Sequence, residues 1–287
     1  MSIAVGRLEP FDQWDQNLLD RLFANTLYPT GLNFTRHDGY PKTTGCVLLI
    51  PGRYWVDQTD EMNKALAKYK WVLAIRTSDE ADSFDISLIK HPNIKWWVQT
   101  PRPDRRYGES RLLGVGFSPH FNDLPAEPPN KDIDVFLAGQ NTHTRRRDAF
   151  AALARVEGTV VSFPTPGFTQ GMSPEDYRDH MLRARVAPAP AGIFSPDSFR
   201  AYEALEAHAV PIVDDLSPVY DSRGYWNAVV GTPPFSVITD YNNLPGWIND
   251  TLVAWPGNAN RIVAWWMRLK RTYAQWLVAD LTELGAL

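Results

Sequence analysis

Cysteine is nearly missing from these 287 residues: Cys46 stands alone, so no disulfide can close within the chain and no paired thiolates can bind a metal. Long apolar runs are missing too. The most hydrophobic stretches, CVLLIP and IVAWWM, are short and bounded by polar residues, far from the roughly 20 residues that span a bilayer. Neither sign of charge dominates, since 29 Lys and Arg face 33 Asp and Glu for a formal charge of -4, and no global positive field draws the chain to phosphate polymers. The nucleophile motif GxSxG is absent, and the six histidines show no zinc spacing. The opening MSIAVGRLEPFDQWD lacks the basic start and continuous apolar core of a signal peptide, which makes a cytoplasmic location the expectation. Trp and Pro are plentiful at 11 and 23, a composition for a rigid, loop-rich protein with aromatic surfaces.

Periodicity gives the organisation. Phe11 to Asn25 has helical spacing, and TLYPTGLNFTRHDGYPKTTG reads as irregular connection. Alternation of strand and helix then begins, with strands predicted at Cys46 to Ile50, Trp71 to Ile75, Ile94 to Val98 and Arg111 to Gly116, and helices at Thr59 to Tyr69 and Ala81 to Lys90. The segment FSPHFNDLPAEPPNK fits a linker, because proline fixes φ and cannot donate to a ladder. Beyond it the pattern restarts through strands Ile133 to Ala138, Thr159 to Phe163, Arg185 to Pro188, Val210 to Val213 and Phe235 to Ile238, with intervening helices and a long helix from Asn258 to Leu284. The expected fold class is α/β, two Rossmann-like domains facing a cleft. One domain is expected over 1–125 and a second over 131–257, with a terminal helix, 258–287, packing back on the first. That helix carries Ile262, Trp265, Trp266, Leu269, Tyr273, Trp276 and Leu277 as a buried stripe, with Arg268, Lys270 and Arg271 on other faces.

In open parallel sheets ligands bind beyond the carboxyl ends of the strands, so the loops after each strand are the informative ones. The richest lies in ARVAPAPAGIFSPDSFRAYEALEAHAVPIVDD, where a small-residue loop enters a helix. Asp197 and Ser198 cap it, and its free N–H groups with Arg200 suit a diphosphate, since a guanidinium bonds phosphate oxygens in pairs. Glu203, one turn on, suits the two hydroxyls of a ribose. The same spacing also fits an ordinary capped helix with an i,i+3 ion pair.

The segment from Val186 to Asp215 resembles the donor-binding motif of exostosin-like glycosyltransferases, in which a Ser-x-Arg element precedes an apolar Glu-Ala-Leu helix and a Pro-Ile-Val strand. The stretch DIDVFLAGQNTHTRRRDAF resembles the family more loosely. The resemblance implies a GT-B fold in which Ser198 and Arg200 contact the diphosphate of a nucleotide-sugar, Glu203 the ribose, and Gly139 with one of Arg145, Arg146 or Arg147 the phosphate from the other side. Two positions depart from the pattern: Ser195 stands where many GT-B enzymes have a first glutamate, and His208 stands where glycine is common and reads as a tolerated helix C-cap.

Inverting transfer to a hydroxyl needs a base from a first-half loop. The candidates are His37, Asp38, Asp57, Asp79, Glu80 and His120, with Asp79 first, although Ser78-Asp79-Glu80 is also a plain acidic helix start. A retaining mechanism needs no such base. Asp132 and Asp134 form an Asp-x-Asp pair at the strand end remote from the expected cleft, so no metal is expected. The Arg-rich loop TPRPDRRYGESR is either a solvated, internally paired loop or a platform for an anionic polymer, DNA included. The expected activity is metal-independent transfer of a sugar from a nucleotide-sugar, a UDP-sugar in first place. Arg200 stabilises the departing diphosphate, and the acceptor is a hydroxyl of a protein, a glycan or a modified DNA base, with no membrane partner. The alternative is a non-catalytic nucleotide- or glycan-binding module of the same fold.

Overall fold

A computed structural model describes residues 2–125, 129–167 and 170–287. The chain divides into two compact units, Met1–Val115 with Arg268–Leu287 as unit 1 and Gly116–Met267 as unit 2.

Unit 1 runs β1 (Ser2–Arg7), α1 (Gln13–Phe23), β2 (Asn33–Asp38), β3 (Gly45–Pro51), α2 (Thr59–Leu66), β4 (Trp71–Thr77), β5 (Ile94–Gln99) and β6 (Arg111–Leu113). All pairings are parallel, in the order β2-β1-β3-β4-β5-β6. The continuous apolar run of β3 is buried along its whole length, as a strand covered on both faces must be. Cys46 lies in it fully buried, and burial pushes its thiol up to about 12, so it is a core residue and no nucleophile.

Two expectations fail in unit 1. The segment read as irregular contains β2, an edge strand whose NFTRHD side chains are largely exposed and so lack the alternation by which a strand is recognised. The helix expected over Ala81 to Lys90 is a short 3-10 turn, Ile86–Leu88. Asp79 captures the amides of Ser83 and Phe84 at 2.8 Å each and Asp85 captures that of Ser87, so side chains take the donors that a helix would use.

Unit 2 continues with β7 (Ile133–Gln140), α3 (Thr144–Leu153), β8 (Val160–Thr165), α4 (Pro174–Arg183), β9 (Ala184–Ala189), α5 (Phe199–Glu206), β10 (Val210–Asp214), α6 (Tyr225–Val230), β11 (Ser236–Ile238) and α7 (Leu244–Val253). Its sheet is also parallel, in the order β11-β10-β9-β7-β8. The division between the units precedes Gly116, ahead of the proline-rich linker expected to separate the domains, of which residues 126–128 lie outside the described residues. Residues following Gly116 pack into unit 2, where Phe121 meets Tyr177 edge-on.

The last helix, α8 (Gly257–Glu283), belongs to both units by sequence, through Met267 to unit 2 and from Arg268 to unit 1. In unit 2 Trp266 donates its indole N–H to Glu206 at 2.8 Å. In unit 1 Trp97 donates to Asp280 at 2.7 Å and meets Trp276 edge-on. Lys270, expected on an outward face, is buried with the stripe.

Candidate functional site

A parallel sheet opens a crevice where its strand order reverses, because the connections on either side leave in opposite directions. In unit 2 the chain passes from β7 to β8 on one side and returns to β9 on the other, so the reversal lies between the loops that follow β7 and β9. The first loop carries Gly139 into α3, and the second carries Ser195, Asp197 and Ser198 into α5.

Gly139 has φ 141°, a conformation that side chains rarely adopt. A β-carbon there would also overlap Arg200, whose guanidinium lies directly over it. Arg200 Nε donates to the Ala138 carbonyl at 2.6 Å, which fixes the plane of the group and leaves its two terminal nitrogens without an acceptor among the described residues. Ser198 begins α5 with its hydroxyl unused for capping, while Asp197 accepts the Ser198 amide at 3.0 Å and the Tyr225 hydroxyl at 2.5 Å. Ser195 is buried and accepts the Asp197 amide at 3.1 Å, so it shapes the loop.

Glu203 is 4% exposed and accepts the Tyr177 hydroxyl at 2.8 Å through Oε2, leaving Oε1 without a donor among the described residues. Burial, with Glu203 beside it, raises the Tyr177 hydroxyl far above its ordinary pKa, so it remains a donor to the carboxylate. The structure thus brings Gly139, Ser198, Arg200 and Glu203 to the carboxyl ends of β7 and β9.

The three arginines of α3 part company. Arg145 bonds both oxygens of Asp214 through Nε and Nη2 and reaches the Thr239 carbonyl at 3.1 Å, and Tyr241 adds its hydroxyl to the same fully buried carboxylate at 3.0 Å. Arg146 is buried and donates Nε to the Ala191 carbonyl at 3.0 Å, tying α3 to the loop after β9. Arg147, expected as a phosphate ligand, projects from the exposed side and bonds Thr144 at 3.1 Å, because its place in the helical repeat faces away from the sheet.

His143 stands at the same junction, with Nε2 donating to the Ala191 carbonyl at 3.2 Å and Nδ1 buried without a partner among the described residues. Burial first, and the Arg146 cation next, lower its pKa and keep the ring neutral. Neither Tyr177 nor His143 carried a sequence signal, since each acts through a long-range contact. Residues 168–169 of the loop after β8 lie outside the described residues.

Asp79, first choice for a base, is enclosed. Its carboxylate accepts two backbone amides and faces Arg76 at 3.7 Å, and the residue is 1% exposed, so it shapes the loop after β4 and is closed off from a substrate. Asp132 bonds Arg183 at 2.6 and 2.8 Å, and Asp134 bonds Arg185 at 2.6 Å and the Thr159 amide at 2.8 Å. Among the described residues no cluster of His, Cys, Asp and Glu suits a metal ion, and no helix is long and apolar enough to cross a membrane. In the Arg-rich loop Arg102 pairs with Asp104, Arg105 with Asp82 and Arg111 with Asp280.

His208 follows α5 with φ 58°, while the next amide, of Ala209, bonds back to Ala204 at 2.8 Å. This is a left-handed helix end built without glycine.

Sequence comparison finds no protein-family model that matches and no matching curated protein. Solved structures do match. Anabaena HepE, in complex with UDP and glucose, superposes with a TM-score of 0.50 at 10% identity over 98% of this chain and 100% of that one. CalG4, the calicheamicin glycosyltransferase, has a TM-score of 0.49 at 9% identity over 99% of both chains, and an alpha1,3-fucosyltransferase 0.44 at 10% over 91% of this chain and 81% of that one. The match to HepE over essentially the full length of both chains, with two parallel α/β sheets, gives this chain the GT-B fold.

Proposed function

We propose that the chain is a glycosyltransferase that moves a sugar from a nucleotide-sugar donor, with a UDP-sugar in first place, to a hydroxyl acceptor. The observation that carries the reading is Arg200 laid over Gly139 at the point where the strand order of unit 2 reverses, with two guanidinium nitrogens free to take phosphate oxygens. A diphosphate held there also meets the N-terminus of α5, and both favour negative charge as the bond to the sugar breaks. Glu203 offers Oε1 to the ribose, and Arg146 sets the facing loop. The resemblance of Val186 to Asp215 to exostosin-like donor motifs supports the same roles, as does the UDP and glucose bound to HepE.

Departure of the diphosphate against Arg200 and helix N–H groups needs no divalent cation, and the one Asp-x-Asp pair is already occupied by Arg183 and Arg185. The acceptor is a protein or glycan hydroxyl in preference to a DNA base, because three of the four loop arginines are paired with carboxylates. Calorimetric titration with UDP tests the donor site: saturable binding is expected, weakened about 10–100-fold in Arg200→Ala for the loss of charge-assisted hydrogen bonds. Equal affinity in the variant refutes the assignment.

A further inference from the structure

Unit 1 holds a groove of about 770 Å³ beside the first residues of β5 and β6. Its walls are the turn after β4, the Arg-rich loop before β6 and the end of α8, so every lining residue belongs to this unit. Part of the lining is apolar. Trp96 stands half-buried with its ring 6.3 Å from that of Phe84, and Ile86 and Ile94 pack on the same cluster.

The rest is polar and carries both signs, four cations against five carboxylates. Three of the cations are held in place. Asp82 and Asp280, both buried, take Arg105 at 2.7 Å and Arg111 at 3.2 Å, and Lys95 reaches Glu283 at 2.7 Å. Arg106 and Glu109 differ. They lie three residues apart in one loop, both are exposed and line the groove, and among the described residues neither side chain has a partner, not even the other. The turn that carries them is fixed: the Tyr107 hydroxyl accepts the Arg102 amide at 2.8 Å, Ser110 Oγ donates to the Tyr107 carbonyl at 2.5 Å, and Gly108 takes φ 61°. The Arg-rich loop is thus neither fully paired within itself nor a cationic platform.

We infer that this groove binds a neutral oligosaccharide, a role that unit 1 performs with no residue of the unit 2 crevice. A planar guanidinium and a planar carboxylate can each exchange two hydrogen bonds with neighbouring hydroxyls of a pyranose, and the C–H face of such a ring packs on an exposed indole. The balance of charge selects against the alternatives. A sulfated glycan or a nucleic acid brings its anions against five carboxylates, and a cationic peptide meets four cations. The volume lies within the range of about 300–1,000 Å³ usual for small-ligand clefts. The role is binding without chemistry, and it stands or falls apart from the donor assignment.

The test is calorimetric titration of the whole chain with maltohexaose, cellohexaose and chitohexaose, and with a heparin hexasaccharide as the anionic counterpart. At least one neutral hexasaccharide is expected to bind saturably, at about 0.1–1 mM as for a shallow groove, with an affinity that salt leaves unchanged. Arg106→Ala and Glu109→Ala, exposed and without partners to lose, should each weaken it about tenfold, and Trp96→Leu by a similar factor. Arg147→Ala, an exposed arginine of unit 2, should leave it unchanged, and UDP affinity should hold in all four variants. Failure of all three neutral glycans to bind at 10-fold above about 1 mM overturns the inference. So does tighter binding of the heparin fragment that falls steeply with salt, the mark of a polyanion surface. Glycan binding that survives intact in Arg106→Ala, Glu109→Ala and Trp96→Leu overturns it as well, since the glycan then sits elsewhere. Loss of UDP binding by the wild type would instead remove the donor reading and leave the groove standing.

Discussion

Arg200 lies across Gly139 with its Nε on the Ala138 carbonyl, so the only residue that fits beneath the guanidinium is one without a side chain. The helix after β9 and the turn after β7 are therefore coupled through one contact. Gly139→Ala is expected to displace the guanidinium and strain a backbone at φ 141°, costing about 1–3 kcal/mol in a denaturant melt. UDP affinity should fall with it. A variant with wild-type stability and affinity would show that the contact has no consequence.

Glu203→Gln is expected to weaken UDP about tenfold by calorimetry, since an amide forms weaker bonds to ribose hydroxyls than a carboxylate does. Tyr177→Phe removes the donor at 2.8 Å from a buried carboxylate and should cost about 1–3 kcal/mol of stability. Unchanged UDP binding in Glu203→Gln would move the ribose contact elsewhere.

Asp79→Asn should act on the fold before it acts on turnover. The carboxylate holds two loop amides at 2.8 Å, and an amide in its place makes weaker bonds, a loss of about 1–3 kcal/mol visible as a lower Tm. A variant of unchanged Tm with abolished transfer would restore Asp79 as a candidate base.

Asp15 gives stability a defined pH dependence. Its folded pKa, raised by burial to about 7 from an ordinary 3.8, means that the folded chain holds this proton more tightly than the unfolded chain. This contribution is present at low pH and is lost as pH climbs from about 4 through 7. Asp15→Asn should therefore be more stable than the wild type at pH 8, by an amount on the order of a few kcal/mol, and the gap should close by pH 4. Thermal melts at the two pH values measure it, and a gap that widens toward acid would give the shift the wrong sign.

Sequence made the α/β alternation readable because buried strands such as β3 and β10 are uninterrupted apolar runs and helices such as α4 carry a Ser cap with Pro at the first turn. It concealed β2, whose exposed residues alternate in nothing, and the non-helical turn after β4, decided by the side chain of Asp79. That Arg200 and Glu203 lie about one turn apart was readable since both sit in one short helix. Arg145, Arg146 and Arg147 were not separable, because which of three adjacent arginines meets Asp214 depends on a strand that lies 69 residues away.

The most direct measurement is release of free UDP from a panel of UDP-sugars in excess EDTA, with intact-mass analysis of candidate protein and glycan acceptors alongside. Consumption of at least one donor, with a matching mass gain on an acceptor and loss of both in Arg200→Ala, is expected. Tight UDP binding with no donor consumed would contradict transfer and leave a nucleotide-binding module on a glycosyltransferase fold.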